Sequence, residues 1–386
     1  MQKIYLDNAS TTFPKPTEVA NVVYHYITQV GSNISRGGYE NAYRTEEIIY
    51  EARQNLADLF NATDCKNVIF TKNITESLNV ILKGFLHTGD HVIVSSMEHN
   101  AVMRPLVQLQ QKGISFSRIP CNLDGTLTTT DLEKYLQKNT KLVVMTHASN
   151  VSGTVLPIEI IGAFCQRHNL KFVVDTAQTA GVWQIDMQKM HIDALAFTGH
   201  KGLLGPQGIG GFILQEDMIQ QIEPLISGGT GSISHTEEIP HFMPDRFEAG
   251  TMNLPGIIGL NAGLNWLKQT TTTAIKQHEL LLTKYFLDGI SAINNEKIHI
   301  AGRKDTILRT GVVSLYVENQ EMAQLAYELD DKFGIMTRVG LHCAPSAHKT
   351  LGTYPKGTIR FSFSWWNTQD DIAIAINALK ILTKGK

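Results

Sequence analysis

The chain has 386 residues, of which 42% are hydrophobic and 18% charged, and its formal net charge is −2. This balance is ordinary for a folded globular protein and argues against a disordered chain. Neither terminus carries a run of like charges, which disfavours nucleic acids and membrane surfaces as partners and favours small-molecule ligands. The apolar runs are too short to span a bilayer and the opening residues lack a signal-peptide hydrophobic region, so we expect a cytoplasmic protein.

The four cysteines are widely spaced, at positions 65, 121, 165 and 343. They form no CxxC pair and no Cys/His ligand pattern, so neither a disulfide framework nor a zinc site is expected. Most of them are expected to be small core residues. Cys343 differs because Gly340 and Pro345 on either side predict a loop around it.

Short β-rich runs alternate with helix-length segments through the first two thirds of the chain. These runs are 68–71, 91–95, 141–145, 171–175, 194–198 and 211–214. They predict βαβ units and a mostly parallel sheet that is buried on both faces. Apolar residues from Leu78 to Phe85 recur at helical spacing after the polar start Asn73-Ile-Thr-Glu, which predicts a capped helix directly after a strand.

The pattern changes near residue 257. Helices are predicted over 257–268, 272–293, 322–333 and 368–382, with strands over 311–317 and 358–364. The chain is therefore predicted to form a large domain over 15–256 and a smaller α+β domain from 1–14 and 257–386. The segment 228–248 is rich in Gly, Ser and His and is predicted to be a long functional loop.

A lysine follows the predicted strand 194–198, within Thr198-Gly-His-Lys-Gly. Small neighbours leave room around the amine of Lys201, and a desolvated lysine has the lowered pKa that Schiff-base chemistry needs. An exposed lysine in a turn is the alternative interpretation. Gly205-Pro-Gln-Gly-Ile-Gly-Gly, further on, leads into a strand and not a helix, which disfavours a nicotinamide dehydrogenase.

Two further features precede this lysine. Asp175 ends a hydrophobic strand, and ligands of parallel sheets bind at such strand ends. A carboxylate at this position can pair with a protonated pyridine nitrogen. The alternative interpretation, an aspartate that only caps the end of the strand, is equally common. The helix start at Ile74 and Thr75 offers backbone N–H groups to a phosphate. The order of phosphate cradle, strand-end acid and strand-end lysine on one sheet favours a cofactor site over three unrelated features.

The sequence resembles the cysteine desulfurase and selenocysteine lyase family, within the class V aminotransferase group of fold-type I pyridoxal-phosphate enzymes. The matching segments are Tyr5-Leu-Asp-Asn-Ala-Ser-Thr-Thr, Thr75-Glu-Ser-Leu-Asn, Glu98-His-Asn-Ala, Ser149-Asn-Val-Ser-Gly, Asp175-Thr-Ala-Gln, Thr198-Gly-His-Lys, Phe247-Glu-Ala-Gly-Thr, Arg338-Val-Gly-Leu-His-Cys-Ala-Pro, and Arg360 ahead of Asn367-Thr. The resemblance implies a fold-type I α/β architecture and pyridoxal 5'-phosphate as cofactor.

The resemblance also assigns roles by position. It implies that Lys201 holds the cofactor as a Schiff base, that Asp175 pairs with the pyridine nitrogen and that His99 stacks on the ring. The freed amine of Lys201, or His99, is expected to move protons during catalysis. The other residues with implied cofactor contacts are Ile74, Thr75, Asn150, Gln178, Thr198, His200 and Thr251. Thr251 is implied to reach the phosphate of a neighbouring subunit, and the resemblance therefore also implies a homodimer with shared active sites. Asn150, Arg338 and Arg360 are implied to bind the substrate, with Arg360 clamping its carboxylate.

Cys343 decides which reaction is expected, because one fold-type I site supports many reactions. The resemblance implies that its thiolate takes sulfur from L-cysteine, leaving L-alanine and a persulfide. Arg338 and His342 are expected to make its surroundings electropositive, which favours the thiolate.

The short interval from Cys343 to Arg360 is closer to the group II desulfurases, which usually need a sulfur-acceptor protein. The alternatives are a selenocysteine lyase acting on L-selenocysteine, or a class V aminotransferase or epimerase acting on a small amino acid. No metal and no nucleic-acid partner is expected.

Overall fold

The computed structural model describes residues 3–34 and 37–384. The strands in this part of the chain are β1 Ile4–Tyr5, β2 Val68–Thr71, β3 His91–Ser95, β4 Ser115–Ile119, β5 Thr140–Thr146, β6 Lys171–Asp175, β7 Ala194–Thr198, β8 Gly210–Leu214, β9 Ile298–Ala301, β10 Val312–Val317, β11 Ile335–Met336, β12 Arg338–Gly340 and β13 Thr358–Ser362. The α-helices are α1 Thr17–His25, α2 Glu40–Phe60, α3 Ile74–Phe85, α4 Asn100–Gln110, α5 Ile158–Arg167, α6 Glu216–Ile219, α7 Leu254–Thr270, α8 Thr272–Ile293, α9 Met322–Phe333, α10 Pro345–Thr350 and α11 Gln369–Leu382.

A seven-stranded sheet forms the larger part of the fold, with the strand order β2-β8-β7-β6-β5-β3-β4. Strand β8 runs antiparallel to both of its neighbours, and the remaining pairs are parallel. Every residue of β3, β7 and β8 is buried, which explains why these runs are continuously apolar instead of alternating. The predicted mostly parallel α/β sheet is confirmed.

Helices cover both faces of this sheet. Alternate side chains of a strand point to opposite faces, so Val92 and Val94 pack with α3 and α4, whereas Ile93 packs with α2, α5 and α7. Asn73 caps α3 by accepting a hydrogen bond from the backbone N–H of Glu76, as the sequence predicts.

A second sheet is antiparallel and has the strand order β12-β13-β10-β9. Its core includes residues of α8, α9 and α11 together with Ile4 and Leu6 from the beginning of the chain. Helix α7 instead packs with the larger core through Leu254, Ile257 and Leu264. The division into 15–256 and 1–14 with 257–386 stays a prediction.

Several predicted elements differ from the structure at their ends. The strand predicted over 358–364 ends at Ser362, because the side chain of Asn367 binds the backbone of Ser364 and turns the chain toward α11. Pro345, which the sequence places in a loop, begins the short helix α10, where a missing N–H costs nothing. Segment 228–248 has no helix or strand, as predicted. None of the helices in the described ranges is long and apolar enough to cross a membrane.

Candidate active site

The carboxyl ends of β2, β3, β5, β6 and β7 lie along one edge of the large sheet, because these five strands run in the same direction, as does β4. Predicted site residues follow each of these ends: Ile74 and Thr75 after β2, His99 after β3, Asn150 after β5, Asp175 at the end of β6, and Lys201 after β7. The topology therefore brings to one edge residues that are up to 127 positions apart in the chain (74 to 201). This edge is where open α/β sheets bind ligands.

Lys201 lies in the turn that leaves β7 and is partly buried in a small cavity that Gln178 also lines. Burial and the nearby Arg360 guanidinium lower the pKa of Lys201 to about 8, and Asp175 opposes them. The carbonyl of His200, directly before the lysine, accepts hydrogen bonds from the backbone N–H of Thr12 (3.1 Å) and the amine of Lys15 (3.0 Å). The beginning of the chain therefore fixes the backbone that carries Lys201.

Two polar atoms beside Lys201 are buried and lack a hydrogen-bond partner within the described residues, Oγ1 of Thr198 and Nδ1 of His200. A buried polar group without a partner is costly, so such atoms indicate a ligand that satisfies them. Burial lowers the pKa of His200 to about 4, so its imidazole is neutral at pH 7. Both residues are among those that the resemblance implies to contact the cofactor.

The start of α3 lies against β8, which separates β2 from β7 in the sheet. A Cβ atom on Gly210 would lie 2.8 Å from Cα of Asn73, so only glycine allows this approach. Ile74 is buried and Thr75 is exposed at the first turn of the helix. The positive end of the helix dipole thus lies on the same sheet edge as Thr198.

Asp175 is buried, and its Oδ1 accepts a hydrogen bond of 2.9 Å from the backbone N–H of Ala177. Burial raises the pKa of Asp175. Glu98, a residue to which the sequence assigned no role, is fully buried nearby and accepts hydrogen bonds from the hydroxyl of Ser95 and the backbone N–H of Thr146. Burial raises the pKa of Glu98 to about 8, so it is mostly protonated at pH 7.

His99 caps α4, and its Nδ1 accepts a hydrogen bond of 3.0 Å from the backbone N–H of Ala101. Burial, with smaller contributions from Lys201 and Arg360, lowers the pKa of His99 to about 4. The imidazole is therefore neutral at pH 7 and carries its proton on Nε2, since Nδ1 acts as an acceptor.

Gln178 and Thr251 are placed differently from each other. Nε2 of Gln178 donates to the carbonyl of Ala9 at 3.2 Å, and its side chain lines the cavity of Lys201. Thr251 is exposed just before α7, in a cleft that Thr71 and Lys72 also line. The structure therefore brings Gln178 to Lys201 and leaves Thr251 at the surface.

Arg360 is buried on β13 and is held by the loop that follows β5 and by the beginning of the chain. Its Nη1 donates to the carbonyl of Asn150 at 3.0 Å, and its Nη2 lies 2.9 Å from Oδ1 of Asp7 and 2.8 Å from Oγ of Ser10. Its Nε is buried without a partner among the described residues. Arg338 lies opposite Arg360 on the neighbouring strand β12 and donates to the same Ser10 hydroxyl at 2.6 Å.

Asp7 and Ser10 are site residues to which the sequence assigned no role. They occur in the matched segment Tyr5-Leu-Asp-Asn-Ala-Ser, and this match is the sequence feature that could have indicated their role. Asp7 and Arg360 are 353 positions apart, so the sequence does not show that they pair.

Cys343 is exposed at the turn between β12 and α10. His342 and Cys343 both have left-handed backbone conformations, with φ of 47° and 57°. Such conformations are unfavourable for residues with side chains and need support from their surroundings. The support comes from Nδ2 of Asn150, which donates to the carbonyl of His342 at 2.7 Å, and from the backbone N–H of Asn100, which donates to the carbonyl of Cys343 at 2.8 Å.

The expectation that His342 makes the surroundings of Cys343 electropositive is wrong. Its imidazole points inward, is 5% exposed, and places Nε2 3.0 Å from the hydroxyl of Thr358. Burial, the Arg360 guanidinium and His348 lower the pKa of His342 to about 2. A neutral ring contributes no positive charge, so Arg338 is the residue of the expected pair that carries charge here.

Comparison with known proteins assigns the chain to a family. Residues 4–374 match the family model for class V aminotransferases. A chain from Methanothermobacter thermautotrophicus named probable cysteine desulfurase is 32% identical over 375 residues, covering 96% of this chain and 92% of the relative. One of the same name from Pyrococcus abyssi is 33% identical over 389 residues, covering 99% and 94%.

Solved structures agree with the sequence comparison. The apo structure of a cysteine desulfurase from Thermococcus onnurineus NA1 has a TM-score of 0.93 and 32% identity, covering 100% of this chain and 95% of that one. A cysteine desulfurase from Escherichia coli has a TM-score of 0.86 and 26% identity, covering 98% and 94%. The chain therefore belongs to the cysteine desulfurase family within the class V aminotransferases.

Proposed function

We propose that the protein is a pyridoxal-phosphate-dependent cysteine desulfurase, which converts L-cysteine to L-alanine and transfers the sulfur to Cys343 as a persulfide. The observation that carries the proposal is a pair of buried atoms, Oγ1 of Thr198 and Nδ1 of His200, that have no hydrogen-bond partner in the described part of the chain and lie beside a lysine whose pKa is lowered to about 8. An anionic cofactor with a reactive aldehyde satisfies both features at once.

The residues of the sheet edge fit pyridoxal phosphate. Thr198, His200 and the first turn of α3 with Thr75 would hold the phosphate, and Asp175 would hold the pyridine nitrogen. Gln178 would hold the ring oxygen and His99 would lie against the ring. When bound, pyridoxal phosphate withdraws electrons from the α-carbon of an amino acid and so makes its proton removable.

Lys201 is the group suited to moving a proton in this site, and His99 is suited to orienting the groups around it. The lowered pKa of Lys201 leaves a substantial fraction of its amine neutral near pH 7.5, able to accept a proton at Nζ. His99 stays neutral through the physiological range, because burial keeps its pKa near 4. It is therefore suited to orienting groups through Nε2–H rather than to holding a positive charge.

Arg360 would bind the carboxylate of the substrate through Nε, which no described residue contacts by a hydrogen bond. Asp7 and Ser10 already occupy Nη2, so they hold the guanidinium plane in one orientation before substrate arrives. Asn150 contacts both Arg360 and the Cys343 turn, which relates the substrate position to the position of the thiol. Arg338 would add positive charge near the same carboxylate.

Cys343 would receive the sulfur. Its thiolate forms a sulfur–sulfur bond with the substrate sulfur while the substrate's Cβ–S bond breaks, and the electron pair of that bond stays with the carbon. Protonation of the carbon then yields alanine, and the persulfide remains on Cys343. The exposure of Cys343 allows a second molecule to take the outer sulfur atom.

We propose that the protein forms a homodimer with shared active sites. We also propose that it acts in the cytoplasm and passes its sulfur to an acceptor protein. Leu225 and Ile226 support the dimer, because they line the cleft of Thr251 and are 48% and 47% exposed in the single chain. Apolar side chains clustered in this way are typical of a protein interface. Thr251, exposed on the same surface, is suited to reaching a neighbouring subunit.

The test is to incubate the purified, cofactor-loaded protein with L-cysteine and to measure alanine together with the persulfide on each cysteine by mass spectrometry. Wild type is expected to form alanine and a persulfide on Cys343. Lys201→Ala is expected to lose the yellow colour and all turnover. Cys343→Ala is expected to stay yellow and to form no persulfide at position 343.

Cys121→Ala is the matched control, since Cys121 is also a free cysteine but is only partly exposed and outside the proposed chemistry. It is expected to behave as wild type. Unchanged alanine formation by Cys343→Ala would rule out the desulfurase proposal. Faster alanine formation from L-selenocysteine that survives Cys343→Ala would favour a selenocysteine lyase, and transamination of pyruvate would favour an aminotransferase.

A further inference from the structure

We propose that a basic cleft beside Cys343 docks an acidic segment of the protein that accepts the persulfide sulfur. The inference rests on the proposed desulfurase function and names the chemistry of its partner. The cleft has a volume of about 300 Å³ and is lined by Glu98, Asn100, Met103, Arg104, Val107, Arg118, Pro345, Ser346 and Lys349.

Three cations from three different elements converge on this cleft. Arg104 lies on α4, Arg118 on β4 and Lys349 on α10, and all three are exposed. None of them forms an ion pair with a carboxylate among residues 3–34 and 37–384. Glu98 is the acid in the lining, and it is buried, hydrogen-bonded and mostly protonated at pH 7. As far as the described residues extend, the cleft is therefore a positively charged surface whose three cations have no carboxylate partner.

Aromatic rings hold two of these cations in place. The guanidinium carbon of Arg118 lies 4.9 Å from the ring centroid of Phe116, and Nζ of Lys349 lies 5.0 Å from the ring centroid of Tyr354. Such contacts stabilise a cation without neutralising it. Both groups consequently stay free to pair with carboxylates that arrive on another molecule.

The cleft is continuous with the turn that carries the sulfur. Asn100, in its lining, donates its backbone N–H to the carbonyl of Cys343, and Pro345 lies two residues after the cysteine. A molecule seated in the cleft therefore lies next to the exposed thiol. A sulfur acceptor has to reach that position, because the outer sulfur of a persulfide leaves by direct attack of a second thiolate.

The lining favours a protein segment over a small free anion. Val107 in the lining is 48% exposed, and Met103 and Pro345 line the same cleft with apolar side chains. Mixed apolar and charged lining spread over three elements matches a protein interface, whereas a small anion is bound by converging donors in a closed pocket. Electrostatic attraction between such surfaces raises the rate of association and depends on salt.

The experiment uses the full-length, cofactor-loaded enzyme and three synthetic peptides of equal length, each with one cysteine flanked by Glu, Gln or Lys residues. The enzyme is first loaded with sulfur from L-cysteine, and persulfide on Cys343 is measured before any peptide is added. Transfer of sulfur to each peptide is then followed at low and high salt. We expect the Glu peptide to react at least about tenfold faster than the Gln peptide at low salt, with the difference shrinking at high salt.

The double variant Arg118→Glu/Lys349→Glu is expected to abolish the preference for the Glu peptide and to prefer the Lys peptide instead. Lys380→Glu, which changes an exposed lysine on α11, is the matched control and is expected to keep the wild-type preference. Alanine formation with dithiothreitol as acceptor is expected to be equal in all three proteins.

Equal rates for the Glu and Gln peptides with normally loaded wild-type enzyme would overturn the docking proposal and leave the desulfurase function intact. Loss of the preference in Lys380→Glu as well would also overturn it, because the effect would then come from net charge. Failure of wild type to load Cys343 would contradict the proposed function itself.

Discussion

Nη2 of Arg360 lies 2.9 Å from Oδ1 of Asp7, so the beginning of the chain neutralises a buried guanidinium near its end. Ser10 joins them by donating to Asp7 at 2.7 Å while accepting from both Arg360 and Arg338. The arginine proposed to bind the substrate carboxylate is therefore fixed in the absence of substrate. Its orientation depends on residues 7–10, which come from a different part of the sequence.

Asp7→Asn is expected to lower both stability and substrate affinity. The amide keeps the shape but removes the charge that faces Arg360, which we expect to cost about 1–3 kcal/mol of unfolding free energy, measured by urea denaturation. KM for L-cysteine is expected to rise more than kcat falls, because Arg360 loses its fixed orientation. Asp330→Asn, which breaks the exposed pair with Lys3, is the control and is expected to change neither quantity. An Asp7→Asn protein with wild-type KM would contradict this role.

The rate at which the cofactor-free protein takes up pyridoxal phosphate is expected to follow the titration of Lys201. A lysine must be neutral to attack an aldehyde, and burial and Arg360 lower the pKa of this one to about 8. The rate should therefore rise about tenfold per pH unit below pH 8 and level off above it. Absorbance of the bound cofactor provides the measurement. Arg360→Gln should move the midpoint upward, and a wild-type rate still rising at pH 10 would disprove the lowered pKa.

Glu279→Gln is expected to stabilise the protein at high pH. Glu279 on α8 is buried beside the cavity of Lys201, and burial raises its pKa from 4.5 to about 8. Between these values the folded state holds a proton that the unfolded state has released, so wild type loses stability as the pH rises from 4.5 to 8. Glutamine abolishes this loss.

Urea denaturation at pH 5 and pH 9 tests the expectation for Glu279. The variant should gain more than about 1 kcal/mol relative to wild type between the two values. A constant difference between the two proteins across this range would show that the carboxyl does not titrate in it.

Arg53→Met is expected to cost about 3–5 kcal/mol of unfolding free energy, because it leaves a buried carboxylate without its partner. Arg53 and Glu248 are 7% and 6% exposed and form two hydrogen bonds, and Glu248 also accepts from the backbone N–H of Phe70. Adding Glu248→Gln should recover part of the loss, since the amide keeps an acceptor for Phe70 without the charge. If the double variant is no more stable than Arg53→Met, the loss comes from packing instead.

The sequence is sufficient to predict the positions of site residues that directly follow strands or helices with a regular apolar pattern. Asp175 lies at the end of β6 and Lys201 in the turn after β7, and the two strands are visible as continuous apolar runs because helices cover both faces of the sheet. Helices α8 and α9 begin and end where their periodicity does, since their apolar residues face one core. The local sequence pattern is therefore sufficient to predict a helix or strand whose buried positions recur with a fixed period.

Contacts between distant segments are not visible in this way. The pairing of Asp7 with Arg360 joins the chain before β2 to β13, and no periodicity relates the two. The sequence does not show the position of the His342 ring for a similar reason, because a left-handed turn directs this ring toward Thr358 and the core. The sequence around Cys343 suggests that His342 is a positively charged neighbour, whereas in the fold the imidazole of His342 is buried and neutral.

The left-handed turn at His342 and Cys343 is attached at four points. The chain enters from β12 and leaves into α10, while Asn150, in the loop after β5 of the large sheet, and Asn100, at the start of α4 after β3, hold its two carbonyls. Sliding of one sheet against the other would have to break one of these attachments. The reach of the sulfur atom is consequently set by the alignment of the two sheets, so a substitution far from the turn that shifts this alignment would redirect the thiol without touching it.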